Sequence, residues 1–100
     1  MLTTLQTLPD ERHTVRDLAE ACGLSSTQFI RRFQAAFGLT PGRWLQNQRV
    51  NGARRLLAQG LSLADAAHAM GFVDQAHMHR AFKARHAMTP GRYQAVSTSA

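Results

Sequence analysis

Residues 67–93 read AHAMGFVDQAHMHRAFKARHAMTPGRY, and residues 19–44 read AEACGLSSTQFIRRFQAAFGLTPGRW. The two stretches are versions of one unit. Ala19 and Gly23 align with Ala67 and Gly71 at an offset of 48. Arg31, Phe33, Thr40, Pro41, Gly42 and Arg43 align with Arg80, Phe82, Thr89, Pro90, Gly91 and Arg92 at an offset of 49, and Trp44 meets Tyr93. One residue has been inserted between the glycine and the helix that follows it. Self-similarity at a fixed spacing marks a duplicated structural unit.

Each copy reads as helix, tight turn, helix. In the first, Thr14 and Asp17 stand in the spacing of a capping box, and Val15, Leu18, Ala19 and Cys22 keep helical spacing. Gly23 ends that helix, Leu24 plugs the turn, and Ser25 or Ser26 caps the next helix. Phe29, Phe33 and Phe37 form its predicted buried stripe, and Gly38 stops it. In the second copy Ser62 and Asp65 repeat the box. Leu63, Ala66, Ala67 and Met70 face inward, Phe72 replaces Leu24, Asp74 is the N-cap, and Met78 and Phe82 form the stripe. Ala19 and Ala67 each precede a turn glycine by four residues, where the two helices of a helix-turn-helix cross closely and leave no space for a larger side chain.

Between the copies, Thr40 suits an N-cap, Pro41 a first helical position and Gly60 a C-cap. The helix this predicts over 41–59 is a rod of roughly 28 Å. Trp44, Leu45, Val50, Ala53, Leu56 and Leu57 supply it with apolar contacts to both lobes. Gly52 costs such a helix about 1 kcal/mol relative to Ala, and nothing in the sequence accounts for it. Ahead of the first copy, Leu2, Leu5 and Leu8 keep the spacing of a short helix that stops at Pro9. Thr89-Pro90 opens a last helix holding Tyr93, and residues 97–100 read as a frayed tail. The expected architecture is all-α with about seven helices. One domain spans 1–100, with a first helix-turn-helix lobe at 1–38, a connecting helix at 40–60 and a second lobe at 61–96.

Composition narrows the function. The chain has 100 residues, 44% of them hydrophobic, which supports one packed domain and is too apolar for disorder. No apolar run approaches the roughly 18 residues of a membrane span, and the N-terminus lacks a signal-peptide pattern. Cys22, the single cysteine, forms no internal disulfide and excludes cysteine-based zinc motifs, so the expected compartment is a reducing cytoplasm. Net charge is +6, with twelve Lys+Arg against six Asp+Glu, and Lys83 is the only lysine. Residues 51–100 carry +4 of it, and a basic surface points to an anionic partner, nucleic acid first. So small a chain has little space for a deep substrate cleft beside its core. It shows no Ser/His/Asp order and no glycine-rich phosphate loop, so neither an enzyme nor a cofactor site is expected. His77, His79 and His86 lie close in sequence, but His77 and His79 fall about 200° apart on a helix at 100° per residue. No carboxylate stands at ligand spacing, and no metal is expected.

A helix-turn-helix lays its second helix in the major groove, with the face opposite the core turned to the bases. With Phe29 and Phe33 inward, Thr27, Arg31 and Gln34 point outward, flanked by Gln28 and Ile30. With Met78 and Phe82 inward, Ala76, Arg80 and Lys83 point outward, flanked by His77 and His79 and led by Gln75. Arg binds guanine O6 and N7 bidentately, Gln pairs with adenine, and Ala, Thr or Ile meets a thymine methyl. Arg31 and Arg80, equivalent in the repeat, are the first candidates for base reading. Candidates for phosphate contact are Thr14, at a helix start, and Arg32, Arg43, Arg54, Arg55, Lys83, Arg85 and Arg92.

These residues also carry a resemblance. Gly71-Phe72, Arg80, Phe82-Lys83, Thr89-Pro90 and Tyr93, with Leu18-Ala19, Arg31, Phe33, Gly38 and Thr40-Pro41 and the spacer's Arg49, Ala53 and Leu56-Leu57, resemble the DNA-binding domain of the AraC/XylS family of bacterial transcription regulators. The resemblance covers about residues 12–94. It implies two recognition helices in successive major-groove segments, about one helical turn apart, with base-reading positions at Ser26, Thr27, Ile30, Arg31, Gln75, Ala76, His77, His79 and Arg80. It implies regulation of transcription, mainly by helping to recruit RNA polymerase, as the C-terminal part of a larger regulator whose separate sensing domain dimerises. A stand-alone monomeric regulator and a non-specific architectural protein are the alternatives. The second copy departs from the pattern with His86-Ala87 where the first has Phe37-Gly38, which leaves its local turn open to a shift.

Overall fold

The computed structural model describes residues 14–98, and these form six helices and no strand. They are α1 (Val15–Ala21), α2 (Ser26–Phe37), α3 (Pro41–Ala58), α4 (Leu63–Ala69), α5 (Gln75–His86) and α6 (Pro90–Thr98). The helix expected over residues 2–8 lies outside the described residues. Ser97 and Thr98, expected in a frayed tail, continue α6, where Thr98 Oγ1 donates to the Gln94 carbonyl at 2.8 Å. The chain divides into two compact units, one ending at Gln46 and the other beginning at Asn47. The division falls within α3.

The first unit starts with a complete capping box. Thr14 Oγ1 accepts from the Asp17 N–H at 3.1 Å, and the Asp17 carboxylate accepts from the Thr14 N–H at 3.0 Å. Helix α1 then ends in a Schellman motif. The Leu24 N–H donates to the Ala19 carbonyl at 2.9 Å and the Gly23 N–H to Glu20 at 3.0 Å, with Gly23 at φ +69°, a conformation that only glycine adopts without strain. Ala19 is almost fully buried at this crossing, and the core it shares with Leu18, Phe29, Phe33 and Leu45 is edged by Val15, Cys22, Leu24, Leu39 and Trp44. Phe37 departs from the predicted stripe. It is 38% exposed and rests on Phe33 with ring centroids 4.6 Å apart. The reason is the helical period. Residues four apart advance 400°, so the stripe drifts about 40° per step and its third member reaches the rim.

The second unit repeats the turn, but of the expected capping box only the Ser62 half is made. Ser62 Oγ accepts from the Asp65 N–H at 3.1 Å. The Phe72 N–H donates to the Ala67 carbonyl at 3.0 Å and the Gly71 N–H to His68 at 3.1 Å, so the second turn is the Schellman motif of the first. A third one closes α3, where Leu61 bonds back to Leu56 and Gly60 to Leu57. The Gln94 amide donates to the carbonyls of Leu57 and Leu61, fastening α6 to that helix end. Val50, Ala53, Leu57, Ala66, Ala67, Phe72, Met78 and Phe82 form the core.

Gly52 now has its explanation. It is buried, and a Cβ there would overlap Met70 Sδ and lie 3.4 Å from Met70 Cγ and Cε. Met70 occupies the space that any side chain at position 52 would need. The turn after α5 also keeps its form without glycine. Ala87 takes the left-handed conformation at φ 54°, and its N–H donates to the Lys83 carbonyl at 2.8 Å. In the first unit Gly38 at φ 77° donates to Gln34 at 2.9 Å. The shift left open by the sequence does not occur.

Candidate nucleic-acid interface

Helix α2 starts with a second full capping box. Ser25 Oγ accepts from the Gln28 N–H and Gln28 Oε1 accepts from the Ser25 N–H, both at 3.2 Å. Phe29 and Phe33 are fully buried, which fixes the helix's rotation about its axis. Ser26, Thr27, Ile30 and Arg31 are all exposed: Thr27 and Arg31 lie opposite the core, Ile30 flanks it, and Ser26 stands at the first helical position. Ile30 keeps 38% of its surface in solvent, enough to present its methyl groups.

Helix α5 is fixed in the same way by Met78 and Phe82. Gln75, Ala76, His79 and Arg80 are exposed and together line one shallow surface depression, with the small Ala76 among three longer polar side chains. Four of the five positions expected in this unit are thus brought together. The fifth, His77, is not. It is half-buried, its ring stands edge-on to Phe72 with centroids 5.1 Å apart, and its Nδ1 accepts from the Val73 N–H at 3.4 Å. Val73 stands out only in the structure. Its side chain is 88% exposed directly ahead of the Asp74 cap, and the only signal for it was an apolar residue between a turn plug and an N-cap.

The expected phosphate partners differ in availability. Arg32, Arg43, Arg54, Arg55, Lys83, Arg85 and Arg92 are all exposed, and no polar or charged side chain is buried among the described residues. Arg43 and Arg92 hold matching places, each donating its backbone N–H to the preceding threonine hydroxyl, Thr40 or Thr89, at 3.2 Å. Arg85 Nε reaches Asn51 Oδ1 at 3.5 Å. Thr14 is less available, because its hydroxyl and N–H are both engaged by Asp17, whose charge already occupies that helix start.

His86 packs on Phe82 at 4.8 Å, and its Nε2 is buried without a hydrogen-bond partner. Burial, then the positive charges of Arg54 and Arg85, hold its pKa below the ordinary imidazole value. Among the described residues no three His, Cys, Asp or Glu side chains converge to hold a metal, and no helix is long and apolar enough to cross a membrane.

The surface is therefore that of a doubled helix-turn-helix, with each second helix turned outward by its own core. Residues 18–95 match the helix-turn-helix domain family. The chain belongs to the AraC-type family of helix-turn-helix domains. It is 38% identical over 90 residues to the transcriptional activator NphR of Rhodococcus, covering 89% of this chain and 27% of that protein. It is 35% identical over 94 residues to a putative AraC-like transcription regulator of Streptomyces lividans, covering 93% of this chain and 31% of that one. Among solved structures, the DNA-binding domain of the global transcriptional factor AdpA, in complex with a target DNA, superposes with a TM-score of 0.83 at 29% identity. The match covers 98% of this chain and 88% of that one. An AraC-type regulator from Chromobacterium violaceum gives a TM-score of 0.84 at 26% identity, covering 97% and 91%. The chain spans about a quarter to a third of the length of the curated relatives it matches.

Proposed function

We propose that this chain binds duplex DNA sequence-specifically to regulate bacterial transcription, α2 and α5 each entering a major-groove segment. The observation that carries this reading is the pair of equivalent exposed arginines, Arg31 and Arg80, each on the face opposite a buried aromatic core. Ser26, Thr27, Ile30 and Arg31 read bases from α2. Gln75, Ala76, His79 and Arg80 read them from α5. The two sets differ, so the half-sites differ and the site is not palindromic. The guanidiniums of Arg32, Arg43, Arg54, Arg55, Arg85 and Arg92 and the Lys83 ammonium contact phosphates, which fixes register without specifying sequence. The Thr14 N-cap contributes through the α1 start if its Asp17 contacts yield.

The lobes at 1–38 and 61–96, with the connecting helix at 40–60, act as one DNA-binding domain of 1–100 with no catalytic role. The length of the relatives supports reading it as one part of a larger regulator, and we take that part to be C-terminal and the regulator cytoplasmic. In that setting RNA polymerase is the protein partner, and a separate domain supplies any dimer contacts.

Selection of random duplex DNA on the purified chain tests the reading. The expected product is a bipartite, non-palindromic motif with blocks about 10 bp apart. Enrichment of no motif, with no binding even at low salt, overturns it.

A further inference from the structure

We infer that His77 is a positioning residue, which sets the start of α5 through the Val73 backbone and does not read a base. This rests on the proposal that α5 reads DNA. The internal repeat places His77 opposite Gln28, and Asp74 opposite Ser25, at the offset of 49. Gln28 is the third helical residue of α2, and its side chain turns back to accept the N-cap N–H. His77 is the third helical residue of α5, and its side chain also turns back to accept a turn N–H, that of Val73. The backbone N–H of each donates forward to the cap, Gln28 to Ser25 Oγ at 3.2 Å and His77 to Asp74 Oδ1 at 2.7 Å. The edge-on contact with Phe72 ties the imidazole to the residue that plugs the turn. His77 therefore does in the second lobe what a glutamine amide does in the first. Gln75 and Ala76 before it and His79 and Arg80 after it line the surface depression, and it does not.

The replacement has one chemical consequence. An amide oxygen accepts a hydrogen bond at any ordinary pH. Imidazole Nδ1 accepts only while the ring is neutral with its proton on Nε2. The second recognition helix thus has a titratable start and the first does not. Asp74 is the charged group in contact with His77. Asp65 and His68 are exposed on α4, and His79 and Arg80 are exposed on α5. His68, His79 and His86 are imidazoles too, so only a variant at position 77 isolates this contact.

The experiment compares the chain with H77Q and H77A on the duplex selected by the unmodified protein, at about pH 7.5 and about pH 5.5, which brackets the ordinary imidazole range. H77Q is expected to bind within about twofold with unchanged base preference, and H77A to lose about fivefold with preference also unchanged, the size of a lost cap. Acidification is expected to weaken the unmodified protein by about threefold more than H77Q, a smaller effect than full loss of the cap. In the free protein, nitrogen NMR is expected to show His77 as the Nε2–H tautomer, and acidification to shift the Val73 amide signal, which it does not do in H77Q. A changed base preference at one position in H77Q overturns the inference, as does the Nδ1–H tautomer. Failure of the unmodified protein to bind any duplex overturns the DNA-binding reading instead, and the tautomer then decides whether the turn contact exists.

Discussion

The ends of the two outward-facing helices differ in chemistry and agree in geometry. Helix α2 leaves its core through Phe37 and Gly38, and α5 through His86 and Ala87. In the first unit the ring pairs are Phe33–Phe37 at 4.6 Å and Phe33–Trp44 at 5.9 Å; in the second they are Phe82–His86 at 4.8 Å and Phe82–Tyr93 at 5.6 Å. The closing hydrogen bond is made in both. What the lobe keeps is the backbone path and the tilted contacts of flat rings. The second lobe keeps them at a local cost, a left-handed alanine and a buried ring nitrogen with no partner.

If the lobes are true equivalents, removing matched parts should have matched effects. The largest effect is expected from Phe33→Ala and Phe82→Ala, each destabilising by about 3–5 kcal/mol in urea unfolding. A loss at Phe82 well below that at Phe33 would mean the second core is less tightly built. Next, Arg31→Ala and Arg80→Ala should each weaken specific binding by about 1–3 kcal/mol and relax one base position, in different half-sites. Equal weakening on random DNA would make that arginine a phosphate contact.

A reciprocal exchange at the helix ends comes third. Ala87→Gly should stabilise by about 0.5–1 kcal/mol, because relief of left-handed strain exceeds the added freedom of the unfolded chain. Gly38→Ala should destabilise by about 1 kcal/mol for the same reason. Opposite signs in thermal melts confirm the comparison, and equal signs break it. The smallest effect concerns pH. Because the folded protein holds His86 below its ordinary value, the unfolded chain binds that proton more readily. The stability this group contributes is complete above the unfolded imidazole value of about 6.5 and declines as pH falls from there to the folded value. His86→Phe, which restores the first lobe's ring, should lessen the loss of melting temperature on acidification.

Most of the architecture was legible because it is written in local signals. Caps at Thr14, Ser25, Ser62 and Asp74, glycines at the turns, and alanines four residues ahead of two of them all act within one turn of chain. Three features were not local. Gly52 is explained by Met70 of another helix, which periodicity along α3 cannot reveal. Phe37 fits an i, i+4, i+8 pattern that drifts off the core face. His77 lies on the outward arc of α5 by angle alone, yet its side chain has a partner in the preceding turn. The exposure of Arg31 and Arg80 was legible because rotation of each helix is set by its buried pair.

The aromatic contacts have one more consequence, for how this chain can be observed. Trp44 is the only tryptophan, and it stands edge-on to Phe33 in the first unit. Tyr93 is the only tyrosine, and it lies against Phe82 in the second. Each core thus holds a single, distinct natural fluorophore. Tryptophan emission excited on its own follows the melting of the first core, and tyrosine absorbance follows the second. Two superimposable curves describe one cooperative unit, and two separated curves describe two. The unlabelled protein reports which.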